Sequence, residues 1–309
     1  MNTTWGIDLG GTKIEGVVMA AGNLPDSVLL RKRIDTEAHK GYAHIVQQIK
    51  KLIAEMEAES GHKPTALGIG TPGAHDPLLN TMKGCNTTCL NGMPLRDDLR
   101  SALNLPVEIA NDANCFALAE ATMGVVPEVV PTYRSVFGVI MGTGVGGGIV
   151  MRGKDGVPFV LNGLQGIAGE WGHNVLDPNG HQCYCGKRGC NEQVLSGPAL
   201  QRFYSEQSGV ALSMKQIVMN YRAGNDPHAL ATMNRLFDCF GRAISVVINI
   251  LDPDVIVLGG GVSNIDEIYT NGVESARQYV FNRGNLDTRF LKPKLGDSAG
   301  VFGAAMLVV

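Results

Sequence analysis

Apolar positions along this chain alternate between short extended runs and stretches of helical period, the pattern of an α/β protein. Residues 5–9 (Trp-Gly-Ile-Asp-Leu) read as a short apolar strand with one embedded carboxylate. Gly10-Gly11-Thr12-Lys13 forms a tight turn, and residues 14–19 resume as an extended run, so the turn joins two strands. Over 42–60, Ile45, Ile49, Leu52, Ile53 and Met56 share one helical face, and Gly61 follows as a stop. Residues 66–70 predict a strand closed by Thr71-Pro72-Gly73, residues 94–103 a short helix, and 107–110 another strand. Asn111-Asp112-Ala113-Asn114 then opens an alanine-rich helix through Met123.

A second cycle starts at Ser135. Residues 136–141 predict a strand, 142–148 a glycine loop, and 149–151 a return to extended chain. Residues 197–250 are mostly of helical type, with Asn225-Asp226-Pro227 as a break and restart. A buried strand over 255–258 runs into Gly259-Gly260-Gly261. A helix over 265–281, an edge strand over 290–294 and a small-residue helix over 298–309 complete the pattern. Two glycine hairpins in two successive α/β halves predict two lobes with a cleft between them.

Composition narrows the class of partner. A chain of 309 residues is long for one core and comfortable for two. Its 40 glycines cluster after apolar runs, as in backbone-lined binding loops. The net charge of −3 offers no basic surface, so no nucleic-acid partner is expected. The first residues enter a strand with no charged-then-apolar leader, and no apolar run reaches membrane-spanning length. Seven cysteines, three of them in one knuckle, fit a reducing cytoplasm better than a disulfide scaffold.

That knuckle, Cys183, Cys185 and Cys190 with His173 upstream, is a closed Cys3His set expected to hold a structural Zn²⁺. His181, two residues before Cys183, is the competing ligand. Glu170 and Glu192 flank the set, and two carboxylates with an imidazole can bracket a polyol. If one nitrogen of His173 binds zinc, the other is oriented and available to a ligand. Gly10, Gly11, Thr12 and Lys13 can cradle phosphate through backbone N–H groups, a hydroxyl and a charge, with Asp8 holding Mg²⁺. The same residues also read as a plain hairpin turn. Gly142, Thr143 and Gly144 are a second phosphate turn, and Gly259, Gly260 and Gly261 either a close approach to a nucleotide or a strand-to-helix turn. In Asn111-Asp112, a carboxylate serves either as a general base or as a helix N-cap.

These segments in this order resemble the ROK family (repressors, open reading frames and sugar kinases). The most specific part is Gly172-His173, then Gly180, then Cys183-x-Cys185-Gly186-x-x-Gly189-Cys190-x-Glu192. The Asp-x-Gly-Gly-Thr-Lys hairpin and the Asn-Asp-Ala-Asn helix start also match. The resemblance implies a two-domain actin/hexokinase-like (ribonuclease H-like) ATPase fold. A smaller domain is expected over 1–118 plus 296–309, and a larger one carrying the knuckle over 119–295. It further implies Asp112 as catalytic base and Asn111, Glu170, His173 and Glu192 as sugar ligands, with Gly73 and Thr88 lining the same pocket. ATP, Mg²⁺ and structural Zn²⁺ are the expected cofactors, and a homodimer the expected assembly.

The activity so implied is phosphorylation of a hexose primary hydroxyl in the cytoplasm, with fructose favoured. N-acetylglucosamine, glucose and mannose are the alternatives within the family. From another class, a sugar-sensing regulator would bind the sugar without phosphorylating it. A helix-turn-helix ahead of Trp5, as in the repressor branch, is not expected. A zinc hydrolase is disfavoured because Cys3His leaves no open coordination position.

Overall fold

The computed structural model describes residues 3–20 and 27–309. In chain order it begins β1 (Thr3–Leu9), β2 (Lys13–Ala20), β3 (Val28–Asp35), α1 (Tyr42–Ser60), β4 (Leu67–Thr71), β5 (Ala74–Asp76) and β6 (Thr81–Lys83). There follow α2 (Leu95–Leu103), β7 (Val107–Asn111), α3 (Asp112–Thr122), α4 (Val125–Val129), β8 (Ser135–Met141), β9 (Val145–Arg152) and β10 (Pro158–Val160). The remainder is α5 (Glu192–Leu195), α6 (Gly197–Ser208), α7 (Met214–Ala223), α8 (Pro227–Leu251), β11 (Val255–Gly259), α9 (Asn271–Tyr279), β12 (Arg289–Leu291) and α10 (Ala299–Met306).

Two compact units are built from these elements. The first comprises Met1–Thr132, Gly148–Gly169 and Lys294–Val309, and the second Tyr133–Gly147 and Glu170–Pro293. This division differs from the expected one at 118/119 and in returning 148–169 to the first unit. Gly148 explains the return: a Cβ there would lie 2.7 Å from the Cα of Asn114, so only glycine lets β9 run this close to α3.

The first unit holds a sheet of order β3-β2-β1-β4-β7. β1, β2 and β3 pair antiparallel; β4 and β7 join parallel to β1. One face carries Trp5, Ile7, Leu9, Ile14 and Val18 against Ile45, Ile49, Leu52, Ile53 and Met56 of α1, all buried. The predicted α1 stripe is thus the core stripe, and Gly61 ends the helix at φ 70° with its N–H on Glu57 O. The other face receives α10, whose small residues allow backbone-close packing. A Cβ on Gly6 of β1 would lie 2.8 Å from the Cα of Ala305, and one on Gly68 of β4 2.8 Å from the carbonyl carbon of Ala304.

In the second unit β8, β11 and β12 are parallel neighbours, with β9 on the far side of β8. α8 starts where the break was predicted: Pro227 is its first residue, and the Asp226 carboxylate accepts from His228 and Ala229 N–H. Three expectations are corrected. The glycine loop over 142–148 is only a short turn, because Val145 already begins β9. The helical stretch after 197 is interrupted a second time, between Ser208 and Met214. The helix over 265–281 is a 3-10 turn followed by α9 alone. Among the described residues no helix is long and apolar enough to cross a membrane.

Candidate functional site

β1, β4 and β7 are parallel, so their carboxyl ends gather on one edge of the first sheet. A cavity of about 640 Å³ opens there, the usual place for a ligand in such a sheet. Asp8, Gly10, Gly11, Thr12, Thr88 and Asp112 all line it, as do His39, Asn86 and Thr87, which sequence reasoning missed. The hairpin is braced by Gly10 N–H on Lys13 O at 2.9 Å and by Thr36 Oγ1 on Gly10 O at 2.7 Å. Lys13 departs from expectation: its ammonium pairs with Asp35 across β2 and β3.

Asp8 projects from β1 with Gly300, in the first turn of α10, beside its carboxylate. Burial, then the negative charges of Asp112 and Glu15, push its pKa up to about 6, with Arg33 opposing. A half-buried carboxylate crowded by other negative charges is a ready ligand for a hard divalent ion such as Mg²⁺. Asp112 is the first residue of α3, and its Oδ1 accepts from Ala113 N–H at 2.7 Å. The N-cap is Asn111, whose Oδ1 accepts the same N–H at 2.9 Å. Asn111 Nδ2 also donates to Gly73 O at 3.2 Å. Gly73 is fixed at φ 105°, where a Cβ would meet the Cys85 sulfur at 2.7 Å. Gly73 and Asn111 therefore shape the strand ends that present Asp112, and Asn111 keeps one amide hydrogen and one lone pair for a ligand.

In the second unit a cavity of about 790 Å³ lies at the carboxyl ends of the parallel β8 and β11. Gly142, Thr143 and Gly261 line it. Gly259 closes β11, and Gly260, at φ 83°, has no room for a Cβ, which would lie 2.4 Å from Met141 O. Gly144 lies against Glu192 instead of the cavity. The remaining wall is new: Gly197, Pro198 and Gln201 of α6, Met214, Lys215, Val218, Met219 and Arg222 of α7, and Val262, Asn264 and Ile265. Arg222 is held by two hydrogen bonds to Glu267, at 2.7 and 2.8 Å. A pocket with apolar methionine and valine walls beside glycine turns suits a purine base followed by phosphates.

The knuckle brings His173, Cys183, Cys185 and Cys190 together, with all ligand atoms within 4.8 Å of one another. Cys183 Sγ lies 3.6 Å from His173 Nδ1, and Cys185 Sγ 3.5 Å from Cys190 Sγ. A tetrahedral zinc with ordinary Zn–S and Zn–N bonds needs edges of about 3.5–3.8 Å, so these residues fit the ion. His181 is elsewhere, pairing with Glu206 at 3.2 Å. Nδ1 faces the sulfurs, and Nε2 meets the Tyr184 hydroxyl at 2.9 Å. The free ligand-facing nitrogen expected of His173 is thus engaged by a residue the sequence did not single out. Trp171 Nε1 on Gly146 O and Asn191 Nδ2 on Trp171 O, at 2.8 and 2.7 Å, fasten Glu170 and His173 to β9. Glu192 Oε2 accepts from Val145 N–H at 3.1 Å.

The ROK family model matches residues 4–309. The chain belongs to the ROK family. This ROK-family chain is 35% identical to an N-acetyl-D-glucosamine kinase of Yersinia pseudotuberculosis, over 98% of each chain. It superposes on a ROK hexokinase from Thermus thermophilus with a TM-score of 0.85 at 30% identity, covering 99% of this chain and 97% of that one. It also matches a ROK-family glucokinase from Streptomyces griseus in complex with glucose and AMPPNP, with a TM-score of 0.76, 29% identity and 99% of each chain covered. The fold is the two-domain actin/hexokinase-like one of these sugar kinases.

Proposed function

We propose that this chain is an ATP-dependent sugar kinase that phosphorylates a hexose hydroxyl, with Asp112 as general base. The observation that carries the reading is that Asp112, Asp8 and the hairpin Gly10-Gly11-Thr12 line one cavity. Asp112 accepts the hydroxyl proton as the sugar oxygen forms its bond to the γ-phosphorus; the bond from that phosphorus to the β–γ bridging oxygen breaks, and ADP leaves. Backbone groups of the hairpin steady the phosphoryl oxygens. Asp8 would hold Mg²⁺, which neutralises charge on the phosphates when bound. Glu170 and Glu192 supply acceptors for sugar hydroxyls, and the knuckle, whose His173 and three cysteines would hold structural Zn²⁺, fixes their geometry. The cavity of the second unit takes the adenosine part of ATP; a relative from Streptomyces griseus solved with AMPPNP supports an adenine nucleotide as a ligand of this chain.

N-acetylglucosamine, not the fructose expected from sequence, is the favoured sugar. Support comes from the 35% identity to an N-acetyl-D-glucosamine kinase over nearly the full length of both chains. An ADP-release assay across N-acetylglucosamine, glucose, mannose and fructose tests it. The highest kcat/KM is expected for N-acetylglucosamine; a preference for fructose would restore the fructokinase reading, and no sugar-dependent ADP would overturn kinase activity.

A further inference from the structure

The second unit contains a direct link between its nucleotide turn and its sugar-binding carboxylates. Glu192, at the first position of α5, reaches back to the β8–β9 turn, where its Oε2 accepts from Val145 N–H at 3.1 Å. The same oxygen would lie only 2.7 Å from a Cβ placed on Gly144. Thr143, one residue earlier, lines the nucleotide cavity. The turn is closed by its own bond, Gly142 N–H to Gly144 O at 2.9 Å, and Gly142 O accepts from Gly197 N–H at 2.8 Å. One carboxylate therefore serves the backbone of a phosphate turn while its other oxygen is left for a sugar hydroxyl.

We infer that Glu192 is a positioning residue for the nucleotide turn as well as a sugar ligand, and that Gly144 is glycine to keep that carboxylate in place. The inference rests on the sugar-kinase reading above. A sugar hydroxyl bound to Glu192 restrains the carboxylate that holds Val145 N–H, so sugar orders the turn, and an ordered turn holds nucleotide more tightly. Coupling of this kind is reciprocal: nucleotide raises sugar affinity by the same factor.

Gly144→Ala tests this without breaking the fold. Gly144 has no positive φ, so alanine suits its backbone, and the atom it would strike is the mobile end of a side chain. The substitution lies in the nucleotide turn, yet its effect should fall on sugar. Calorimetry on the full chain, with N-acetylglucosamine and glucose as sugar probes and AMPPNP as the nucleotide, should show sugar Kd raised about 10- to 100-fold, the loss of one charge-assisted hydrogen bond. AMPPNP affinity without sugar should fall by less than sugar affinity does, because the Val145 N–H loses its carboxylate partner, and its enhancement by sugar should vanish. Glu192→Gln should produce the same loss of coupling, Glu192→Asp should restore part of it in the Gly144→Ala background, and Gly144→Ala with Glu192→Gln should cost no more than Glu192→Gln alone. Unchanged sugar affinity in Gly144→Ala, or full additivity of the two substitutions, would overturn the inference while leaving the kinase reading intact. Absence of any sugar binding by the unsubstituted chain would overturn both.

Discussion

Replacing Asp8 with asparagine should make the metal-free protein more stable at neutral pH while removing its use of Mg²⁺. Burial and the neighbouring charges of Asp112 and Glu15 raise the Asp8 pKa from 3.8 to about 6. Between those values the folded chain keeps a proton that the unfolded chain releases. Stability therefore falls as pH rises through this window, and the loss is complete once Asp8 is ionised in the folded state. A shift of about two units corresponds to about 3 kcal/mol. Asparagine has the same shape and cannot ionise, so Asp8→Asn escapes that cost. Urea unfolding in EDTA at pH 4 and pH 8 reads it: relative to the parent, the variant should gain roughly 2.5 kcal/mol between the two conditions, the rest having been lost already at pH 4. Adding Mg²⁺ at pH 8 should close the gap by stabilising only the parent. Asp112→Asn removes one of the raising charges, so the parent's pH midpoint should fall below 6 in that background. A stability difference that is flat with pH, or a variant weaker at pH 8 than at pH 4, would refute the burial argument.

Two further outcomes follow from packing and metal geometry. Metal analysis should find one zinc per chain, and chelation should weaken sugar binding before it changes AMPPNP affinity in sugar-free protein; sugar affinity unchanged without zinc would contradict the role given to the knuckle. Gly6→Ala forces a methyl group onto the α10 backbone at Val301 and Ala305, which should cost roughly 1–3 kcal/mol or more, visible as a lower melting temperature. An unchanged melt would mean that α10 can move away from β1 at little expense.

Elements with one strong face were legible from sequence. The α1 stripe, the Asp226-Pro227 restart and the β1–β2 hairpin carry their signals locally, in spacing, caps and turns. β3 escapes the sequence pattern because Lys32 interrupts the apolar alternation of Val28, Leu30 and Ile34, and the opposite positions include Arg31 and Arg33, which pair with the buried Glu15 of β2. The break between Ser208 and Met214 is hidden in the sequence because it depends on Gly209 and the Ser213–Gln216 capping box, which a long apolar average masks. The site divides along the same line. Glycine turns, the Asn111-Asp112 step and the Cys3His spacing have dedicated residue types, so they could be named. The α6 and α7 wall of the nucleotide cavity could not, since Gln201, Met214 and Met219 look like any face of an amphipathic helix until the fold turns them inward. Lys13 and His173 show the opposite error, in which a motif residue is given its chemical role and a neighbour, Asp35 or Tyr184, claims the group in the structure.

The most direct test of the central claim is Asp112→Asn under saturating Mg·ATP, with sugar binding followed by calorimetry alongside turnover. In this variant kcat should fall by roughly 10²–10⁴-fold with N-acetylglucosamine Kd changed only a few-fold, as expected when a proton acceptor is removed and the binding groups remain. Undiminished turnover would show that Asp112 is not the base and that its place in the cavity with Asp8 and the hairpin has another purpose.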